Sequence, residues 1–190
     1  SSERFEVTVF DYPQLERADF AVTYPSYTKL PETLIEDTRQ VTVVEGSTVV
    51  VTCHANKPLA SARLLAENDE ATVTLDAIDD EQTMFLVRLS PKVTKRYTLE
   101  LIDNEGRHNR APPEFTIEII PNQRPELKFA FPAKDLRVSP IEEMNLEATV
   151  WDDFGLKQHG LIFSLAGNAP QTIVLADAAA AREPHRLQQT

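Results

Sequence analysis

Three observations predict the fold class: short alternating strands, turn residues at regular intervals, and an internal echo about one sandwich domain long. Together they give an all-β chain of tandem immunoglobulin-like β-sandwich domains, the second one truncated. The echo is the most specific of the three. Residues 52–65 read TCHANKPLASARLL and residues 149–162 read TVWDDFGLKQHGLI, each a strand, a short polar turn and a second strand. Val49 answers Leu146, Cys53 answers Val150, Leu59 answers Leu156 and Leu64 answers Leu161, always at an offset of 97 (146 − 49). Val41 answers Val138 at the same offset.

The elements follow in order. Residues 1–19 are expected to be a strand and linker from a preceding region, with 5–10 (FEVTVF) alternating. Domain one is expected over 20–120. It opens with a strand at 20–24 (FAVTY), stopped by Pro25, and a loop over 26–37 that carries Pro31 and no clean period. Residues 41–44 lead into the Glu45-Gly46-Ser47 turn. Residues 48–54 form the clearest strand, broken by Asn56-Lys57-Pro58. Strands at 62–66, 71–77 and 84–89 follow at sandwich spacing. A closing hairpin joins 97–102 (YTLELI) to 115–119 (FTIEI) through Asp103-Asn104-Glu105-Gly106, where Asn and Gly tolerate left-handed backbone angles. Residues 121–125 (PNQRP) are a short stiff linker.

Residues 126–190 are the partial second sandwich, with strands at 127–131, 144–151, 160–165 and 171–175. Projected by 97, Tyr97 would fall at position 194, past the last residue of the chain. The copy therefore lacks its closing hairpin, which leaves an open edge and an uncovered face. Either the native chain continues or a neighbouring chain covers that face. The Ala-rich tail 176–190, with Arg182, His185 and Arg186, is expected to be a frayed helix or disorder. The chain starts at Ser1-Ser2 and is read as an internal piece of a longer protein.

Composition narrows the function classes. The 42% hydrophobic content suits a globular chain with real cores. Thirty acidic residues against 19 basic give a net charge of −11, which repels phosphate backbones and anionic membrane surfaces. No basic patch interleaves with aromatics, so nucleic acid is not an expected partner, and no membrane contact is expected of this stretch. Cys53, the one cysteine, stands in the alternating run VVVTCHA and reads as a small buried hydrophobe, with no second Cys to bridge.

The motifs whose residue types suit chemistry are weak. Asp152-Asp153-Phe154-Gly155-Leu156 pairs two carboxylates, which suit a hard cation or acid–base work. The same residues suit a turn, with Asp and Gly shaping it and Phe154 and Leu156 packing inward. The turn is the preferred reading. Asp79-Asp80-Glu81 and Asp103-Asn104-Glu105 are further acidic turns, read as solvated hairpin tips. Asp152, Asp153 and Asp103 are the calcium candidates, although no DxDxDG spacing supports them. His54, His108, His159 and His185 have no zinc spacing, and Ser47, Ser61 and Ser164 lack a GxSxG context. No cofactor and no catalytic residue are expected. The cluster Tyr24, Pro25, Tyr27, Leu30 and Pro31 reads as a lid over the sandwich bottom rather than a recognition surface, and Trp151 reads as core.

Taken in order, YPSYTKLPE, VVEGSTVVVTCHANKPLASARL, YTLELIDNEG, NQRPELKFAFPAKDL and ATVWDDFGL resemble a family of large uncharacterised bacterial envelope proteins found in planctomycetes and related lineages. Members resemble one another in a membrane-anchored N-terminal part, Ig-like repeats and a long helical remainder. The resemblance covers about residues 20–165, with the DDFGL turn its strongest motif. The family pattern has an Asp in the linker where this chain has Asn122-Gln123-Arg124-Pro125, which weakens the carry-over of a linker calcium site. The resemblance implies an extracytoplasmic location, in the periplasm or cell envelope, and a scaffold or adhesion role.

The expected function is thus a non-catalytic structural or interaction module of a larger bacterial cell-envelope protein. A protein partner is expected, with homo-oligomers through exposed edge strands (5–10 or 171–175) a further possibility. Two rivals stand beside it. One is a carbohydrate-binding accessory module of a secreted enzyme, using Phe20, Tyr24 and Tyr27. The other is a calcium-rigidified, cadherin-like pair.

Overall fold

Strand β4 (Thr48–Ala55) shows why this chain folds as sheet: Val49, Val51, Cys53 and Ala55 are buried while the residues between them are half-exposed. That period of two sets one face against a core. The computed structural model describes residues 10–67, 72–135, 137, 143–164, 169–176 and 180–189. Residues 5–9 of the strand expected at 5–10, and the Val138 position, lie outside them, and Phe10 is not in a strand.

The chain divides into two units, one holding the residues up to Pro25 and Leu30–Pro121, the other Ser26–Lys29 and the residues from Asn122 onward. In the first unit, β1 (Leu15–Thr23), β2 (Thr33–Ile35), β3 (Gln40–Val44) and β4 are followed by β5 (Leu59–Ala66), β6 (Thr72–Thr74) and β7 (Asp76–Ala77). β8 (Met84–Leu89), β9 (Lys95–Asp103) and β10 (Glu114–Ile120) complete it. One sheet runs β2-β1-β4-β8-β7 and the other β3-β10-β9-β5-β6. All pairings are antiparallel except β3 with β10. The sheets close on one apolar cluster that includes Phe20, Val22, Val43, Leu59, Leu64, Leu99, Leu101, Phe115 and Ile117. The rings of Phe20 on one sheet and Phe115 on the other meet edge to face, with centroids 5.8 Å apart.

Several expectations need correction. β1 begins at Leu15, so the first domain starts before residue 20. The expected loop 26–37 holds a 3-10 turn at Ser26–Thr28 and the short edge strand β2. The expected strand at 71–77 is two strands in different sheets: β6 pairs with β5, β7 pairs with β8, and buried Leu75 marks the crossing. The hairpin β9–β10 forms as expected. Its turn places Gly106 at φ 77°, a left-handed angle that costs glycine little.

The second unit has β11 (Glu126–Phe131), β12 (Leu146–Trp151), β13 (His159–Phe163), β14 (Gln171–Ala176) and β15 (His185–Gln189). β11-β12-β15 form one sheet and β13-β14 the other. The tail expected to be helix or disorder therefore holds a strand, paired along β12 from Val150↔His185 to Leu146↔Gln189. Strands standing where β9 and β10 stand in the first unit do not occur among the described residues. Ala148 and Val150 are its fully buried hydrophobic residues there. Leu127, Phe129, Phe131, Ile162 and Val174 are all exposed by 45% or more.

Candidate functional site

The densest set of charges lies at the end of β9. Tyr97, Leu99, Leu101 and Asp103 share the inward-facing parity of that strand, so its alternation carries a carboxylate to the edge of the core. The Asp103 side chain is fully buried. Its Oδ1 accepts the backbone N–H groups of Glu105 (3.0 Å) and Arg107 (2.8 Å). Its Oδ2 accepts Lys57 Nζ (3.0 Å) and Arg107 Nε (2.7 Å). Burial alone would raise this carboxyl. The Arg107 amide and the two cations overcome it and hold the group well below the usual carboxylate range. Arg107 also pairs with Glu105 and lies over the Phe10 ring at 4.8 Å, while Arg110 stacks over Tyr12 at 4.0 Å. Asp103 is thus no solvated hairpin tip. Four donors occupy the lone pairs that a cation would take.

A second cluster was not legible in the sequence. Asp19 is 8% exposed, in a run of three buried residues (18–20) that breaks the alternation of β1. Its Oδ1 accepts Arg17 Nε (2.7 Å) and the Asp37 N–H (3.0 Å), and Oδ2 meets His54 Nε2 at 3.2 Å. The Arg17 bond is the main reason its carboxyl is lowered. Cys53 is buried beside it, and burial, followed by the Asp19 charge, pushes the thiol up to about 12. A thiol in that state is no nucleophile.

The remaining acidic turns close on themselves. Asp79 Oδ1 accepts the Thr83 and Met84 N–H groups, and Oδ2 accepts Thr83 Oγ1 at 2.6 Å. Asp80 and Glu81 are exposed. In the second unit Asp152 is 7% exposed and its Oδ1 accepts the Phe154 N–H, the turn expected from DDFG, with Gly155 at φ 86°. Asp153 is half-buried, with Oδ1 enclosed and without a hydrogen-bond partner. Among the described residues no three His, Cys, Asp or Glu side chains gather as a metal would need. Asp103 belongs to one unit and the Asp152–Asp153 pair to the other. We therefore expect the melting midpoint to stay within about 1 °C when a chelator replaces millimolar calcium. A rise of several degrees in calcium would show a site these side chains do not reveal.

The histidines do not converge: His54 faces Asp19, and His108 Nδ1 faces Glu100 Oε1 at 3.2 Å on the surface. His159 and His185 lie half-buried in the second unit. The aromatic set named for sugar binding is not assembled. Phe20 is wholly interior, Tyr24 packs against the core, and Tyr27 meets Phe154 edge to face at 5.5 Å. The lid reading holds for Tyr24 and not for Tyr27. Trp151 is half-buried, opposite Glu126. No described helix is long and apolar enough to cross a membrane. No family model matches the chain, and no curated protein matches it either.

Proposed function

We propose that this chain is a non-catalytic, immunoglobulin-like interaction module of a larger cell-envelope protein. One observation carries the reading. The buried charges of the first unit are consumed by the fold: Asp103 and Asp19 are closed in by donors from their own strands and turns and from segments packed beside them, Lys57 for Asp103 and Asp37 for Asp19. Groups spent in that way position backbone and leave none poised for chemistry. The strand order β2-β1-β4-β8-β7 over β3-β10-β9-β5-β6 supports the immunoglobulin-like assignment. The envelope location rests on the family resemblance alone.

A panel of ester, glycoside and phosphate substrates should give no turnover above buffer. Turnover abolished by one substitution at Asp19, His54 or Asp152 would overturn the non-catalytic reading. Protease added to spheroplasts of the source cells should degrade the parent protein, and full protection would remove the envelope assignment. The carbohydrate-binding alternative would now rest on Tyr27 without Phe20. Retention on insoluble polysaccharide that Tyr27→Ala abolishes would revive it.

A further inference from the structure

Edge strand β11 combines three features that point to one occupant. All six of its residues, Glu126 to Phe131, are exposed, and β12 is the one described strand paired with it. Its inward parity is apolar: Leu127 and Phe129 line a cavity of about 50 Å³ together with Leu146, Ala148, Leu161 and Leu187. Its outward parity carries one charge of each sign, Glu126 and Lys128, with Lys128 Nζ 3.8 Å from Glu126 Oε2. An open edge of this kind accepts another strand.

We propose that a second copy of this chain pairs with β11, antiparallel and about a two-fold axis centred on Leu127. A two-fold perpendicular to the sheet keeps each face continuous, so residues of like parity must meet. Centred on Leu127, Glu126 of each copy faces Lys128 of the other, and Leu127 meets Leu127 beside the two apolar hollows. Centred on Lys128, the two ammonium groups would oppose each other. Centred on Phe129, the irregular register between Phe129 and Phe131 interrupts the ladder and no charge is matched. Charge complementarity therefore selects one register. Residues 122–190 carry nine acidic and seven basic side chains, a net of −2 of the chain's −11, so this half repels its copy weakly. The pairing does not depend on what the parent protein does.

Sedimentation velocity of the whole chain, from about 1 to about 200 µM, tests the pairing. A concentration-dependent dimer is expected. Lys128→Glu and Glu126→Lys each replace two attractive cross-strand pairs by repulsive ones, and should weaken the dimer roughly tenfold. The double variant Glu126→Lys with Lys128→Glu restores the complement and should recover dimerisation. All four side chains concerned are exposed, and circular dichroism checks that strand content is kept. A wild-type monomer over the whole range overturns the proposal and leaves the edge to a strand of another sequence. A dimer indifferent to both single changes, or one the double change does not restore, overturns it equally. None of these failures bears on the non-catalytic reading.

Discussion

Asp103→Ala is expected to lower the melting temperature of the first unit by roughly 10 °C or more. The loss exceeds that of one hydrogen bond because of what remains behind. Lys57 and Arg107 keep their charges beside an emptied site, and the N–H groups of Glu105 and Arg107 lose their acceptor. Asp103→Asn keeps the shape but turns an NH₂ donor towards donors, so most of the loss should persist. The pH dependence has a definite sign. The folded carboxyl lies below its unfolded value, so its contribution is complete above the ordinary carboxylate range. It is lost as pH falls through that range towards the depressed folded value. Melts of wild type and Asp103→Asn should therefore begin to converge only as pH falls below about 4 and continue to do so towards the depressed folded value. A drop of only a few degrees at neutral pH, or parallel curves down to acid, would show that Asp103 is not the anchor of this hairpin.

That residue also marks where sequence reading stops. Alternation in residues 97–103 identified β9, and the same alternation puts Asp103 on the buried parity. An acidic residue at a turn nevertheless reads as solvated, because its partner Lys57 lies 46 positions away. Strands bounded by clear breaks, such as β8 over Met84–Leu89, are legible at both ends because apolar parity is local. β2 is not: three residues in a Pro-flanked stretch hold too few side chains to show a period. β15 is hidden for another reason. In residues 185–189 Leu187 is the lone apolar side chain, and the strand exists through its ladder to β12. The crossing at Leu75 is illegible in principle, since alternation names a face and not a sheet.

The two units differ in what their apolar residues do. In the first, the hydrophobics that face the space between the two sheets are withdrawn from water and the buried carboxylates are answered, while Leu34, Leu65 and Ile120 stay exposed on the outside. In the second, Leu127, Phe129, Ile162 and Val174 stay half or more exposed. Exposed apolar strands on an open edge are where a β protein meets another chain.

Phe115→Ala puts numbers on that contrast. Phe115 is 1% exposed, on β10, and its ring meets that of Phe20 on β1 in the opposite sheet. Truncation removes the ring and leaves a void between two sheets whose backbones are fixed by ladders on both sides, so little collapse can fill it. The expected cost is about 3–5 kcal/mol, or roughly 15 °C in the melting temperature. Phe129→Ala is the control, because that ring is already 59% exposed on β11. Its loss should lower the unfolding free energy by no more than about 1 kcal/mol. Chemical denaturation of both variants against wild type measures the difference. Comparable losses from the two would mean that the second unit buries Phe129 against something, and a small loss from Phe115→Ala would mean that the sheets are not joined through the Phe20–Phe115 pair.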